Sequence, residues 1–416
     1  MHGPIGRVER LAVLLVITAA MFAGLSAVRF HPDESHWIGL SAPFEAFFTG
    51  RVLDPIWQTR EDRYITAPMT FYVVGAARRL GGWTPDALNA PYDFNRSYSQ
   101  NLAEGRVPVP GLLAWSRRGV TATAVIGLYV SFVVFARAAG RPAAYVWLGL
   151  VLASPYLREV LRRAMNEGVL LAALALVIWA AFRLLDELDR PHAQWRQWRL
   201  AGWLVFAGGA AGLAAQTKLN GAIAGFGVLA VMVLAAVRYQ MSARRRVRYL
   251  VLGAVILAGS ETAVFFASNP TLWPYPPREI VRVVRARRQL MTAQTMRAGD
   301  AVLRTVSDRA RVIPARVLRD YALVRNPWAG ALLAFAGSVI TLGQVRRWLS
   351  RQNDNHAIVA LAVIGAVVSA PAFLTPLDWS RYYLLPVYFL GFPTVMAADW
   401  LARRAWQSLR AARARL

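Results

Sequence analysis

LAVLLVITAAMFAGLSAVRFHPDESHW, residues 11 to 37, decides the fold class. From Leu11 to Val28 the chain carries no charge. A stretch of roughly 20 such residues crosses the hydrocarbon core of a bilayer as a helix. Arg7 and Arg10 precede it, and Asp33 and Glu34 follow it, flanked by His31 and His36. A cleaved signal peptide is one reading, because Leu25-Ser26-Ala27 is a small-residue stretch. The run is long for a signal core, so an uncleaved first span is favoured. Both readings leave the two acids on the outer side.

The same reading extends along the 416 residues, of which 56% are hydrophobic and 17% charged. The apolar residues fall into continuous blocks without strand-like alternation, which excludes a closed barrel and predicts an all-α polytopic membrane protein. About ten transmembrane helices are expected: Leu11–Arg29, Val120–Ala136, Ala143–Leu157, Val169–Phe182, Trp203–Ala215, Ala222–Val237, Leu250–Ala267, Ala329–Gly343, Ala357–Leu374 and Tyr383–Ala397. The whole chain, 1–416, reads as a single transmembrane domain.

The net charge of +25 would suit nucleic acid, but its placement points elsewhere. No nucleic-acid recognition motif accompanies the arginines, so no nucleic-acid partner is expected. They cluster in short loops: Arg137 and Arg141; Arg183, Arg190, Arg196 and Arg199; Arg238 and Arg244 to Arg248; Arg346, Arg347 and Arg351; and the tail from Arg403 to Arg415. With both termini cytoplasmic, each cluster falls on the inner side, as the positive-inside rule asks.

Two long segments, 30–118 and 268–326, then lie outside. ITAPMTFYVVGAARRLGGW, from Ile65, reads as a helix lying along the membrane. REIVRVVRARRQLM, from Arg278, reads as a basic interfacial helix, resting on anionic lipid or guiding an anionic lipid substrate. Trp273 and Tyr275 suit an interfacial aromatic belt. Cysteine is absent, so thiolate sites and cysteine nucleophiles are excluded.

This topology gathers polar residues on the outer face. They are Asp33, Glu34, Arg117, Arg118, the stretch from Arg158 to Glu167, Lys218, Asp378 and Arg381. Carboxylates and cations on one membrane face suit a phosphorylated lipid and an acid–base reaction. Lys218 is the only lysine in the chain. It is either a survivor of an arginine-biased composition or a compact charge with a particular partner, such as a phosphate. Asp33 and Glu34 also suit a helix cap. Asp33, Glu34 and His36 are the residues that would hold a divalent ion, although their spacing matches no strong metal motif. Glu261 lies within the seventh span, where an ionisable side chain is either functional or a polar helix contact.

FHPDESHW resembles the acidic motif in the first outer loop of integral-membrane glycosyltransferases that use lipid-phosphate sugars. These are the protein O-mannosyltransferase and aminoarabinose-transferase relatives with the GT-C fold. Residues 117–171, RRGVTATAVIGLYVSFVVFARAAGRPAAYVWLGLVLASPYLREVLRRAMNEGVLL, look like that family's next spans. AAGLAAQTKLNGAIA (210–224) looks like its glycine-rich span ending in threonine-lysine. SRYYLLPVYF (380–389) looks like its late arginine-tyrosine…proline motif. The pieces run in order through about Phe389. The family's proline-proline-leucine segment has its nearest counterpart here in TAPMTFY, from Thr66.

The resemblance implies transfer of a hexosyl or pentosyl group, such as mannose or an arabinose-type sugar. The donor would be a polyprenyl-phosphate sugar and the acceptor a hydroxyl, joined with inversion on the extracytoplasmic face of a prokaryotic plasma membrane. It makes Asp33 the catalytic base, with Glu34 beside it. Lys218, Arg381 and Arg118 would bind the donor phosphate, and Glu167, Asp378 and Tyr382 the substrates. No cofactor is certain, a divalent ion being the one candidate. A transporter or lipid flippase is the alternative; it would place its charges near the bilayer midplane.

Overall fold

The structure is a computed structural model that describes residues 6–59, 64–65, 68–190 and 197–413. Thr66, Arg196 and Arg415 lie outside the described residues. Among the described residues, nine helices are long and apolar enough to cross a bilayer, and a tenth apolar helix, Arg141–Ala153, is shorter. In chain order the ten apolar helices are Arg7–Phe22, Pro110–Ala139, Arg141–Ala153, Asn166–Leu188, Gln197–Thr217, Ile223–Arg238, Ala243–Ala267, Pro327–Leu349, His356–Ser369 and Leu384–Arg413. Every expected span overlaps one of them. The second begins ten residues earlier than expected because Pro110 supplies a preset first-turn φ where no amide partner is needed. It ends at Gly140, whose φ of +92° reverses the chain into the third helix. The third stops early because Ser154 and Pro155 start a separate short helix, Pro155–Arg162.

The fourth helix is the most enclosed, packed along the second and the fifth. The fifth in turn lies close along the seventh. Gly212 permits that approach: a Cβ there would stand 2.6 Å from the Glu261 carbonyl and 2.9 Å from Val264 Cβ. Lipid gives helices no hydrophobic reason to associate, so such small-residue seams carry much of the packing. Beside the second helix, Trp147 of the third stacks on Phe392 of the tenth at 4.7 Å and meets Tyr388 edge-on.

The bundle has two distinct polar ends. At one, Arg117 of the second helix meets the segment after the first helix. At the other, twenty residues along the same helix and about 30 Å away, Arg137 lies near a cluster in which Arg238 pairs with Asp354. In that cluster His356 lies between the Trp348 indole N–H (2.9 Å) and Asp189 (3.3 Å).

The helix in the first long segment, Met69–Leu80, buries one face in the protein. Phe71, Val74 and Arg78 are fully buried. Arg78 donates to Ser41 Oγ (2.9 Å), the Trp83 carbonyl (2.9 Å) and Glu45 (2.5 Å), and this neutralised, hydrogen-bonded guanidinium lets the helix pack inward. The basic helix, Pro276–Arg297, does leave Ile280, Val281 and Val284 exposed.

Gly212→Leu is expected to lower the stability of the purified protein by about 1–3 kcal/mol. Unfolding in detergent, followed by tryptophan fluorescence, reads the change against Gly149→Leu, where a Cβ meets open space.

Candidate active site

FHPDESHW is the start of a helix, Pro32–Gly39. His31 caps it, its Nδ1 accepting from the Asp33 amide at 3.2 Å. Glu34 returns the favour to the cap, its Oε2 accepting from the His31 amide at 3.0 Å. This reciprocal cap realises the capping reading for Glu34 alone, and Glu34 goes further. Its fully buried carboxylate accepts from Arg117 Nε at 2.8 Å, from the other end of that guanidinium at 2.7 Å and from the Ala164 amide at 2.8 Å. Glu34 therefore fastens the first segment to the second helix and to the turn before the fourth.

The neighbouring Asp33 points elsewhere. Its carboxylate is one-fifth exposed and ion-pairs with Arg381. Burial holds the His31 imidazole beside it below the usual histidine range, against the opposing pull of Asp33. His31 is then neutral near pH 7, as its acceptor role requires.

Arg381 sits in the turn Ser380–Tyr383 that opens the tenth helix. Its guanidinium lies 4.8 Å from the Trp379 ring centre and 5.7 Å from that of Tyr382. Those two rings are nearly parallel, 5.7 Å apart. From the break between the fifth and sixth helices, Lys218 brings its ammonium 5.1 Å from the centre of the Tyr382 ring and 3.7 Å from Glu167 Oε1. Burial pushes the Lys218 pKa down, partly opposed by Glu167 and reinforced by Arg381 and Arg287. Glu167, in the first turn of the fourth helix, is 1% exposed, yet neither of its oxygens has a hydrogen-bond partner among the described residues.

The structure thus brings Asp33, Glu167, Lys218, Arg381 and Tyr382 together and separates the other candidates from them. Arg118 is exposed and stacks on Trp115 at 4.4 Å; one helical step from Arg117, it faces away. Asp378 is held by Arg316, at 2.6 to 3.1 Å, and by the Tyr383 hydroxyl at 2.8 Å. Its backbone and that of Leu377 pair with Ala301 and Val302. Asp378 so pins the loop that presents Arg381 instead of lining the cluster.

Glu34, bound by Arg117 and the Ala164 amide, has no free carboxylate to offer an ion. The His36 ring packs against Trp37 and Phe71. No three His, Asp or Glu side chains gather as a metal site among the described residues. The set Asp33, Glu34 and His36 does not fit a divalent ion.

One residue of the cluster escaped the sequence reading. Arg287, on the basic helix, donates to the Ile65 carbonyl at 3.1 Å and lies near enough to Lys218, Arg381 and Tyr382 to act on their charges. Burial pushes its own pKa down. The run REIVRVVRARRQLM marked the helix, but nothing in it distinguishes Arg287 from Arg285 or Arg288.

No family model and no curated protein matches the chain. Solved structures do. The oligosaccharyltransferase of Archaeoglobus fulgidus superposes over 98% of this chain and 52% of its own, with a TM-score of 0.55 at 12% identity. ArnT from Cupriavidus metallidurans, bound to undecaprenyl phosphate, superposes over 96% of this chain and 61% of its own, with a TM-score of 0.53 at 19% identity. The fold is that of the GT-C glycosyltransferases. The chain spans half to three-fifths of the length of these neighbours, and the shared part is the helical membrane body described above.

Glu34→Ala leaves the buried Arg117 without its counter-charge and is expected to destabilise the protein by about 3–5 kcal/mol. Asp33→Asn touches a partly exposed pair and is expected to cost less than half of that. Paired melting curves in one detergent check the contrast.

Proposed function

We propose that this chain is a glycosyltransferase that moves a sugar from a polyprenyl-phosphate donor to a hydroxyl acceptor. The observation that carries the reading is the Asp33–Arg381 pair, set beside two further cations, Lys218 and Arg287, at one end of a GT-C bundle. A cluster at helix ends suits an enzyme working at a membrane face better than a transporter with its site at the midplane.

The reaction is a single displacement. The acceptor hydroxyl gives its proton to Asp33 as its oxygen bonds to the anomeric carbon. The bond from that carbon to the phosphate oxygen breaks, and the phosphate leaves with the electron pair. The anomeric centre inverts. The departing phosphate needs charge stabilisation more than a proton, and fixed cations in a site shielded from water supply it. Lys218, Arg381 and Arg287 take that role. Glu167, with unpartnered oxygens beside Lys218, accepts hydrogen bonds from the sugar.

The pair also orders the reaction. A carboxylate held by a guanidinium is a poor base. A donor phosphate competes for Arg381 and releases Asp33, so the base becomes available only once the donor is in place. Donor then acceptor is the expected order of binding.

The test uses purified wild type and Asp33→Asn in lipid, radiolabelled polyprenyl-phosphate sugars and a membrane extract as acceptor. Asp33→Asn is expected to lower transfer about 10²- to 10⁴-fold while still binding donor. Equal transfer by both proteins would remove Asp33 from the chemistry and leave it an ion-pair partner of Arg381. Arg381→Ala is expected to raise the donor KM and to abolish the ordered kinetics.

The arginine distribution supports an extracytoplasmic site. Because the natural chain has no cysteine, single cysteines report the side directly. A membrane-impermeant maleimide added to whole cells is expected to label Ser99→Cys and to spare Ser350→Cys. The reverse pattern would place the site inside.

A further inference from the structure

Tyr156 lies outside the cluster of charges but touches the turn that presents Arg381. It is the second residue of the short helix Pro155–Arg162. Pro155 and Ser154 fix the start of that helix, Ser154 Oγ accepting from the Leu157 amide at 3.3 Å. The Tyr156 hydroxyl donates to the Ser380 carbonyl at 2.6 Å. That carbonyl belongs to the same planar peptide unit as the Arg381 amide. The bond therefore fixes the plane from which the Arg381 side chain departs. The Tyr156 ring is itself held. It stacks on Tyr321, with centres 4.2 Å apart and planes at 22°. Tyr321 stacks on Tyr383 at 5.8 Å, and the Tyr383 hydroxyl donates to Asp378. Burial pushes the Tyr156 pKa up, with Tyr321, Glu167 and Tyr383 acting in the same direction. The hydroxyl therefore stays protonated, and a donor, throughout the neutral range.

We infer that Tyr156 is a positioning residue that holds Arg381 in place for the phosphate of the lipid donor. The inference rests on the proposed role of Arg381. The Asp33–Arg381 pair is one tie between the Arg381 turn and the side of the cluster that carries Asp33 and Glu167. Tyr156 is another, because its helix leads through Ala164, which donates to Glu34, to Glu167. A phosphate that takes Arg381 from Asp33 opens the first tie and leaves the second, a neutral bond, in place. Asp378 does not replace it. The Asp378 amide donates to the Ala301 carbonyl and so anchors the chain two residues before Ser380. With the Tyr156 hydroxyl gone, the Ser380–Arg381 peptide is free to rotate once Asp33 is released. The guanidinium then no longer meets the phosphate in one fixed pose, and part of a directional, charge-assisted contact is lost.

Calorimetric titration of the full chain in detergent with undecaprenyl phosphate tests this. Tyr156→Phe keeps the ring and its stack and removes only the hydroxyl. It is expected to weaken binding roughly 3- to 10-fold. In the double variant Tyr156→Phe/Arg381→Ala the loss is expected to equal that of Arg381→Ala alone within about twofold, because a residue acting through Arg381 has nothing left to act on. Tyr145→Phe removes a matching hydroxyl bond, to Glu9 at 2.9 Å, near the Arg137 end of the bundle. It is expected to bind like wild type, and melting curves confirm that all the variants fold. In transfer, Tyr156→Phe is expected to raise the donor KM by the same factor and to leave the acceptor KM unchanged. Weakened binding in Arg381→Ala with wild-type binding in Tyr156→Phe would overturn the inference and leave the role of Arg381 standing. Additive losses in the double variant would overturn it too, by making Tyr156 a general support of the fold. Wild-type binding in Arg381→Ala would overturn both the role of Arg381 and the inference built on it.

Discussion

The buried pair of Glu34 and Arg117 is the constraint on which the rest of the structure depends. Both charges are out of water, and removing either would leave an uncompensated ion. Their geometry is closed by the Val28 carbonyl, which takes Arg117, and by the Ala164 amide, which gives to Glu34. Three parts of the chain, separated by up to about 130 residues in sequence, therefore meet at one point. The first helix ends there, the second passes it and the fourth begins beside it. Asp33 and Glu167 are positioned from that point, since Asp33 is the residue before Glu34 and Glu167 the third after Ala164.

A second clamp works from the far side of the cluster. Asp378 holds Arg316 and Tyr383, and the Val302–Leu377 bridge ties the second long segment to the same loop. Arg381 and Tyr382 sit between this anchor and the tenth helix. The cluster is thus assembled from two sides, with Asp33 and Glu167 on one and Arg381 and Tyr382 on the other. Lys218 lies between them. The ion pair from Asp33 to Arg381 links the two sides beside the Tyr156 hydroxyl, which donates to the Ser380 carbonyl, and a partly exposed pair of that kind is weak enough to exchange for a phosphate.

The bundle was legible in the sequence because continuous apolar blocks have one solution in a bilayer. The short third helix was not, since its length is set by Ser154 and Pro155 acting as a new helix start inside an apolar block. Within the cluster, position beside a span end sufficed to mark Asp33, Lys218 and Arg381. It could not separate Asp33 from Glu34, because which of two adjacent acids turns inward depends on Arg117, eighty-three residues away. The same limit hid Arg287 among like neighbours and did not show that Arg118 faces Trp115, away from the cluster. The sequence of Met69–Leu80 shows an apolar stretch too short to span, with Arg78 and Arg79 at its end, and does not show that Arg78 is buried. Only its contacts with Ser41, Trp83 and Glu45 make the buried site tolerable.

The charge of the cluster bears on how it could favour transfer over mere binding. Three cations, Lys218, Arg287 and Arg381, act on one another alongside two carboxylates, Asp33 and Glu167. With His31 neutral, the sum is one positive charge. A polyprenyl-phosphate sugar is a phosphodiester with one negative charge, and the polyprenyl phosphate it releases carries up to two. The attraction therefore grows as the sugar leaves. In the proposed reaction Asp33 gains a proton in the same step, which removes one of the carboxylates competing for Arg381. Interactions that strengthen along the reaction are the ones that accelerate it. On this reading the cluster binds the intact donor loosely, the charge that appears on the leaving phosphate more tightly, and the free lipid phosphate most tightly of all.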